Sequence, residues 1–182
     1  MRTCQSRVLS FRQTMKRYEF SIMESTIQEF TIIGIAARTN NTKEMSGEGV
    51  IADQWERVMA GGIIEQIPNR ADANILAMYT DYESDANGEY FFIIGAKVTS
   101  TDSILEGMVA KQIPEAQYAV FTSEKGPVWK VVPEVWQKIW STPAREMGGD
   151  RAFIADFEVY DERAADPQNA VLEVWVGINQ GT

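Results

Sequence analysis

One strand-like stretch concentrates the groups that could do chemistry. In RAFIADFEVYDER (151–163), alternation puts Ile154, Asp156, Glu158 and Tyr160 on one face and Phe153, Ala155, Phe157 and Val159 on the other. The apolar set reads as the core face, packing under helices; the other set places the Glu158 carboxylate between an acid and a tyrosine. In the hairpin partner AVLEVWVGI (170–178), Leu172, Val174, Val176 and Ile178 face the core. Val171, Glu173, Trp175 and Gly177 are left on the face that meets Glu158. The equivalent face earlier in the chain carries Met78, Thr80 and Tyr82 with Phe91 and Ile93. A large aromatic such as Trp175 needs cover, whether from the other half of the chain, a second copy or a ligand. An aromatic crevice with one carboxylate suits an organic cation. Each ring face attracts the charge by roughly 0.5–2 kcal/mol, and the acid supplies the counter-charge. A carboxylate buried there without a partner has its pKa raised.

Composition removes most other chemistry. Histidine is absent, so a Ser-His-Asp or Cys-His arrangement cannot be built. The single cysteine, Cys4, excludes an intrachain disulfide and a thiolate zinc site. Any catalysis must use carboxylates, Tyr, Lys or backbone groups, and no cofactor is implied. The Gly-rich stretches SGEG and AGG lack the lysine pattern of a phosphate loop and read as turns. Asp161, Glu162 and Asp166 lack calcium-ligand spacing and read as a solvated hairpin end.

Charge is unevenly spread. The chain has 17 Lys and Arg against 26 Asp and Glu, a net charge of −9. Residues 1–22 hold Arg2, Arg7, Arg12, Lys16 and Arg17 against Glu19 alone, so the remainder carries 12 basic and 25 acidic side chains. That acidic body attracts cations and gives no footprint for direct nucleic-acid binding. No apolar run is long enough to span a bilayer, and no secretion signal is evident, so a cytoplasmic location is expected. The leader resembles a targeting peptide in composition, but reads more simply as a disordered arm or an upstream start before Met23.

Two similar units position these residues. EFTIIGIAART (29–39) opens the first with a strand. A loop of N-x-x-x-x-x-G-x-G form precedes the helix IADQWERVMAGGI, whose Ile51, Trp55, Val58 and Met59 recur at helical spacing. ILAMYTDYES (75–84) and EYFFIIGAKV (89–98) are strands joined through Asn-Gly, a strong hairpin signal. The second unit has a broken strand region at 107–126 and a helix PEVWQKIWSTP with Pro133 at its start. The hairpin around DPQN then closes it. The order β-α-β-β twice, over about 27–100 and 107–180, predicts an α+β fold with pseudo-twofold symmetry and antiparallel sheets around a central cleft. Ligand sites favour such junctions. Trp55 reads as core, as do Trp136 and Trp140 as an i, i+4 pair; Glu158 alone is more often an exposed sheet-face residue.

Taken together, EFTIIGIAARTNN, YTDYESDANGEYFFIIGAKV, IPEAQYAVFTSEKG and FEVYDERAADPQNAVLEVWVGI resemble the GyrI-like effector-binding family over about residues 27–178. The resemblance is closest to its single-domain members, including integron cassette proteins. It implies paired β-α-β-β modules around a cleft that takes amphipathic or cationic organic compounds. It also implies a glutamate cation partner on the penultimate strand, which is Glu158 here. Tyr160, Tyr82, Trp136, Trp140 and Trp175 complete the candidate ligand site. Regulators of the family carry a helix-turn-helix ahead of this domain, whereas here only 22 leader residues precede 23–182.

The implied role is a stand-alone sensor or sequestering protein in transcription regulation or drug resistance. It would act as a homodimer or with a separate regulator, with Trp175 and Trp129 as interface candidates. Two alternatives stand. One is a hydrolase of small electrophilic compounds, with Glu158 as base and Tyr82 or Tyr160 as donor, favoured by a second cleft carboxylate such as Glu173. The other is a gyrase-inhibitor-like interaction module, favoured by a cleft filled with its own side chains.

Overall fold

The computed structural model describes residues 23–179; the basic leader 1–22 lies outside the described residues. Eight strands form one antiparallel sheet: β1 (Met23–Ile27), β2 (Phe30–Thr39), β3 (Ile75–Thr80), β4 (Tyr90–Val98), β5 (Val109–Ile113), β6 (Ala116–Thr122), β7 (Asp150–Tyr160) and β8 (Glu173–Asn179). Five helices accompany them: α1 (Asn41–Ser46), α2 (Ile51–Gly61), α3 (Ile63–Gln66), α4 (Val128–Ser141) and α5 (Ala144–Met147). None of the described helices is long and apolar enough to cross a membrane.

The strand order β1-β6-β8-β7-β3-β4-β2-β5 carries the duplication. Read outward from the central β7/β3 pair, each half repeats the same sequence of strands. The outermost strand of each half is lent by the chain segment leading into the other half. The β1/β6 and β2/β5 ladders share one register, since Ile27 faces Ala116 and Phe30 faces Ile113. The two ends of the sheet are thereby joined through one bent ribbon, and the sheet curls on itself.

Curling explains the three cores. Helices α2 and α3 cover Ile33, Ile35, Ala77, Phe92 and Ile94 in the first half. Helices α4 and α5 cover Ala119, Phe121, Val174 and Val176 in the second. The third cluster lies on the opposite sheet face and holds Phe30, Ile32, Met78, Ile93, Tyr118 and Phe157, with no helical residue among its members. The sheet closing on itself buries it, bringing Phe30 of β2 and Tyr118 of β6 edge-on to Phe157 of β7.

The face of β7 under the helices is that of Asp156, Glu158 and Tyr160, while Ala155 and Phe157 face the helix-free core. Alternation gave the two sets correctly from Ala155 onward but not which one meets the helices. Both faces of this sheet are buried, so apolar character does not mark the inside. Phe153 leaves its expected set because β7 bulges between Arg151 and Asp156, with Phe153 at φ 51°. Its ring sits against Tyr82 and under Arg151.

Helix α4 starts five residues before Pro133, which lies inside it. The first turn is closed by Lys130 and Val131 amides donating to the Pro127 carbonyl. The loop expected after β2 contains helix α1, capped by the Asn40 side chain accepting from the Lys43 amide.

Candidate functional site

Between the two helical layers lies an open cavity of about 580 Å³, lined by residues of α1, α2, α4, β3, β4 and β7. Tyr79 and Tyr160 pack against both helical cores and so mark the junction of the halves. The floor is Glu158, only 1% exposed. Its Oε1 accepts hydrogen bonds from Tyr79 Oη (2.8 Å) and Trp136 Nε1 (2.7 Å), and its Oε2 accepts one from Tyr160 Oη (2.5 Å). All three donors are neutral. Burial raises the Glu158 pKa, opposed by the bonds from Tyr160, Trp136 and Tyr79. Burial, followed by the nearby Glu158 charge, holds both tyrosines well above their ordinary range, so they stay protonated as donors.

Asp156, two residues earlier on the same face, is a contrast. It is fully buried and paired: Oδ2 contacts Arg151 Nη2 and accepts from Tyr82 Oη (2.7 Å), while Oδ1 accepts from the Gly177 amide (2.9 Å). One buried carboxylate therefore has its cation inside the protein, and its neighbour has none among the described residues.

The walls are aromatic. Trp55 of α2 meets Tyr160 edge-on (4.9 Å between centroids), and Tyr79 contacts Trp136 (5.0 Å), Tyr90 (5.5 Å) and Phe92 (5.1 Å). At the mouth stand Trp140, 46% exposed, Trp129, 73% exposed, and Met45. Glu44 also lines the cavity, but its Oε1 accepts from Thr39 Oγ1 and the Val50 amide, binding it to the start of α2.

Residues 25–178 match the model of the Cass2 family, described as integron-associated effector binding protein. The chain belongs to this family. One relative is YobU of Bacillus subtilis (strain 168), named as a candidate transcriptional regulator. It is 36% identical over 149 residues, which is 81% of this chain and 91% of YobU. The fold is shared with the integron cassette protein VCH_CASS2 of Vibrio cholerae, with a TM-score of 0.69, 23% identity, and coverage of 87% of this chain and 95% of that one. It is shared too with SAV2435, solved bound to tetraphenylphosphonium, with a TM-score of 0.72, 21% identity, and coverage of 87% and 94%. The expected GyrI-like α+β fold is thus the observed one.

Of the six residues chosen from the sequence, Glu158, Tyr160, Tyr82, Trp136 and Trp140 line the cavity. Tyr82 gets there only because Asp81 adopts a left-handed backbone (φ 49°) at the end of β3. Trp175 does not. It pairs in register with Phe157, stacks on that ring at 5.9 Å, and lines a separate cavity of about 260 Å³ on the helix-free face. The cause is the inverted face assignment, since Val174, not Trp175, lies beside Glu158. Glu173 is on that far side as well, bonded to Arg163.

The same inversion moves the first-half face from Met78, Thr80, Phe91 and Ile93 to Ala77, Tyr79, Tyr90, Phe92 and Ile94. Tyr79 and Tyr90 are therefore cavity residues that strand alternation does not reveal, and Trp55 and Trp129, expected in the core and at an interface, line the cavity as well. Tyr79 occupies the register position opposite Asp156, beside Glu158 on one face, a long-range pairing that no local pattern reveals. Trp175→Phe is expected to leave ligand titrations of the main cavity within twofold of the parent while lowering stability by about 1 kcal/mol. A large loss of affinity would return Trp175 to the site.

Proposed function

We propose that this chain captures an amphipathic organic cation in the aromatic cavity, with Glu158 as its counter-charge. The carrying observation is the buried Glu158 carboxylate at the cavity floor, held by three neutral donors while the adjacent Asp156 has Arg151. A ligand cation would supply the charge that this site lacks, and Trp55, Tyr79, Trp136 and Trp140 offer ring surface around it. Family membership supports effector binding, and the tetraphenylphosphonium complex of SAV2435 supports a cationic ligand class. Ligand capture then serves transcription regulation or drug sequestration.

The open cavity favours binding over an interaction module whose cleft is closed by its own side chains. The position of Glu173 outside it weighs against a two-carboxylate hydrolase. The test is a tryptophan-fluorescence titration with tetraphenylphosphonium and with tetraphenylborate, which has the same shape and opposite charge. Saturable binding of the cation alone is the expected result. Equal binding of both ions would mean that shape and apolar surface do the work, and the counter-charge reading would fall.

A further inference from the structure

The cavity has a second pole. Arg151 lines it, with its side chain 13% exposed and its guanidinium carbon 4.4 Å from the Phe153 ring centroid. Only Nη2 is used by Asp156; Nε is buried with no acceptor, and Nη1 donates to no group among the described residues. At the β7 bulge this arginine meets Asp156 of its own strand, and its guanidinium lies over the Phe153 ring. The Arg151–Asp156 pair is neutral as a unit, so it does not repel a cation at Glu158. Arg151 Nη1 is still an unused donor on a residue that lines the same space.

We infer that the cavity selects ligands bearing a hydrogen-bond acceptor, most favourably a carboxylate, opposite their cationic centre. The cation lies at Glu158 and the acceptor at Arg151. Arg151 meets Asp156, which is two residues from Glu158 on one strand face and about 7 Å from it along the strand, so a compact ligand can span the two poles. The preferred class is a compact aromatic zwitterion rather than a simple lipophilic cation. This rests on Glu158 being the cation partner.

The experiment compares benzyltrimethylammonium with its 4-carboxylate derivative by calorimetry, on the parent, Glu158→Gln and Arg151→Lys proteins. The carboxylate probe is expected to bind the parent about tenfold tighter, through a charge-assisted bond. That preference runs against the net charge of −9, which favours the plain cation. In Arg151→Lys the ratio of the two affinities is expected to fall towards one, because an ammonium drawn onto Asp156 has no offset planar nitrogen to offer. A parent that binds the plain cation equally or better overturns this inference whatever the variant's folding. If Glu158→Gln still weakens that cation, the underlying reading survives. Binding of neither probe, or binding insensitive to Glu158→Gln, overturns both.

Discussion

Glu158→Gln is expected to weaken tetraphenylphosphonium binding about 30-fold, roughly 2 kcal/mol, and to raise the melting temperature of the free protein. Glutamine keeps the shape. Its Oε1 can accept from Tyr79 and Trp136 as the carboxylate does, and its Nε2 can donate to a rotated Tyr160 hydroxyl. What disappears is a buried charge with no cation partner among the described residues, which costs the empty protein and benefits the complex.

The two effects also have opposite pH dependence. The Glu158 pKa is raised in the folded protein, so its contribution to stability is full below the ordinary carboxylate value of 4.5 and is lost as pH rises through the raised value. Affinity for a cation climbs over the same window, because the bound cation needs the ionised form and binding expels the proton. Glu158→Gln is expected to remove both slopes. Thermal melts and titrations from about pH 4 to about pH 8, which span the ordinary carboxylate pKa and the range above it, test this. An unchanged affinity in the variant would remove Glu158 from the site.

Gly95→Ala is expected to cost about 3 kcal/mol or more, lowering the melting temperature by about 10 °C or preventing folding. Gly95 of β4 pairs in register with Gly34 of β2, and the two backbones approach where neither carries a side chain. A Cβ on Gly95 would stand 2.0 Å from the Ile33 carbonyl oxygen and 2.7 Å from the Gly34 Cα. Both obstacles are backbone within a sheet, so no side-chain rotation relieves them. Gly177→Ala is the internal comparison, because its Cβ would meet the Ala155 carbonyl at 3.0 Å, and a smaller loss is expected. Denaturant unfolding of both variants decides. A Gly95→Ala protein as stable as its parent would mean that the β2/β4 ladder shifts freely, contrary to the packing of Ile33, Phe92 and Ile94 beneath α2 and α3.

Much of the fold was legible in the chain itself. The second β-α-β-β unit repeats the first, and the DANGE and DPQN turns fall between β3 and β4 and between β7 and β8. These are short-range properties, set by backbone geometry and turn chemistry within a few residues. Glu158 was singled out by its place in FEVYD and by the resemblance of that segment to a known family. Its burial against Tyr79, 79 residues away, was not legible.

The tertiary structure alone decided which sheet face is the ligand face. Alternation separates the two faces of a strand but does not name them when both are buried. Here helices and cavity cover one face, and the curl of the sheet covers the other. That curl depends on pairing β1 with β6 and β5 with β2 across the two halves. Trp175 was misplaced for this reason, and Tyr79 and Tyr90 were missed. The β7 bulge and the left-handed turn at Asp81, which bring Arg151 and Tyr82 to the cavity, are likewise local departures imposed by long-range packing. The sequence by itself determined the main strands and the two long helices, their order and the one carboxylate worth suspecting. Only the closed sheet determined what surrounds that carboxylate, because residues far apart in the chain meet there only after the two halves have joined.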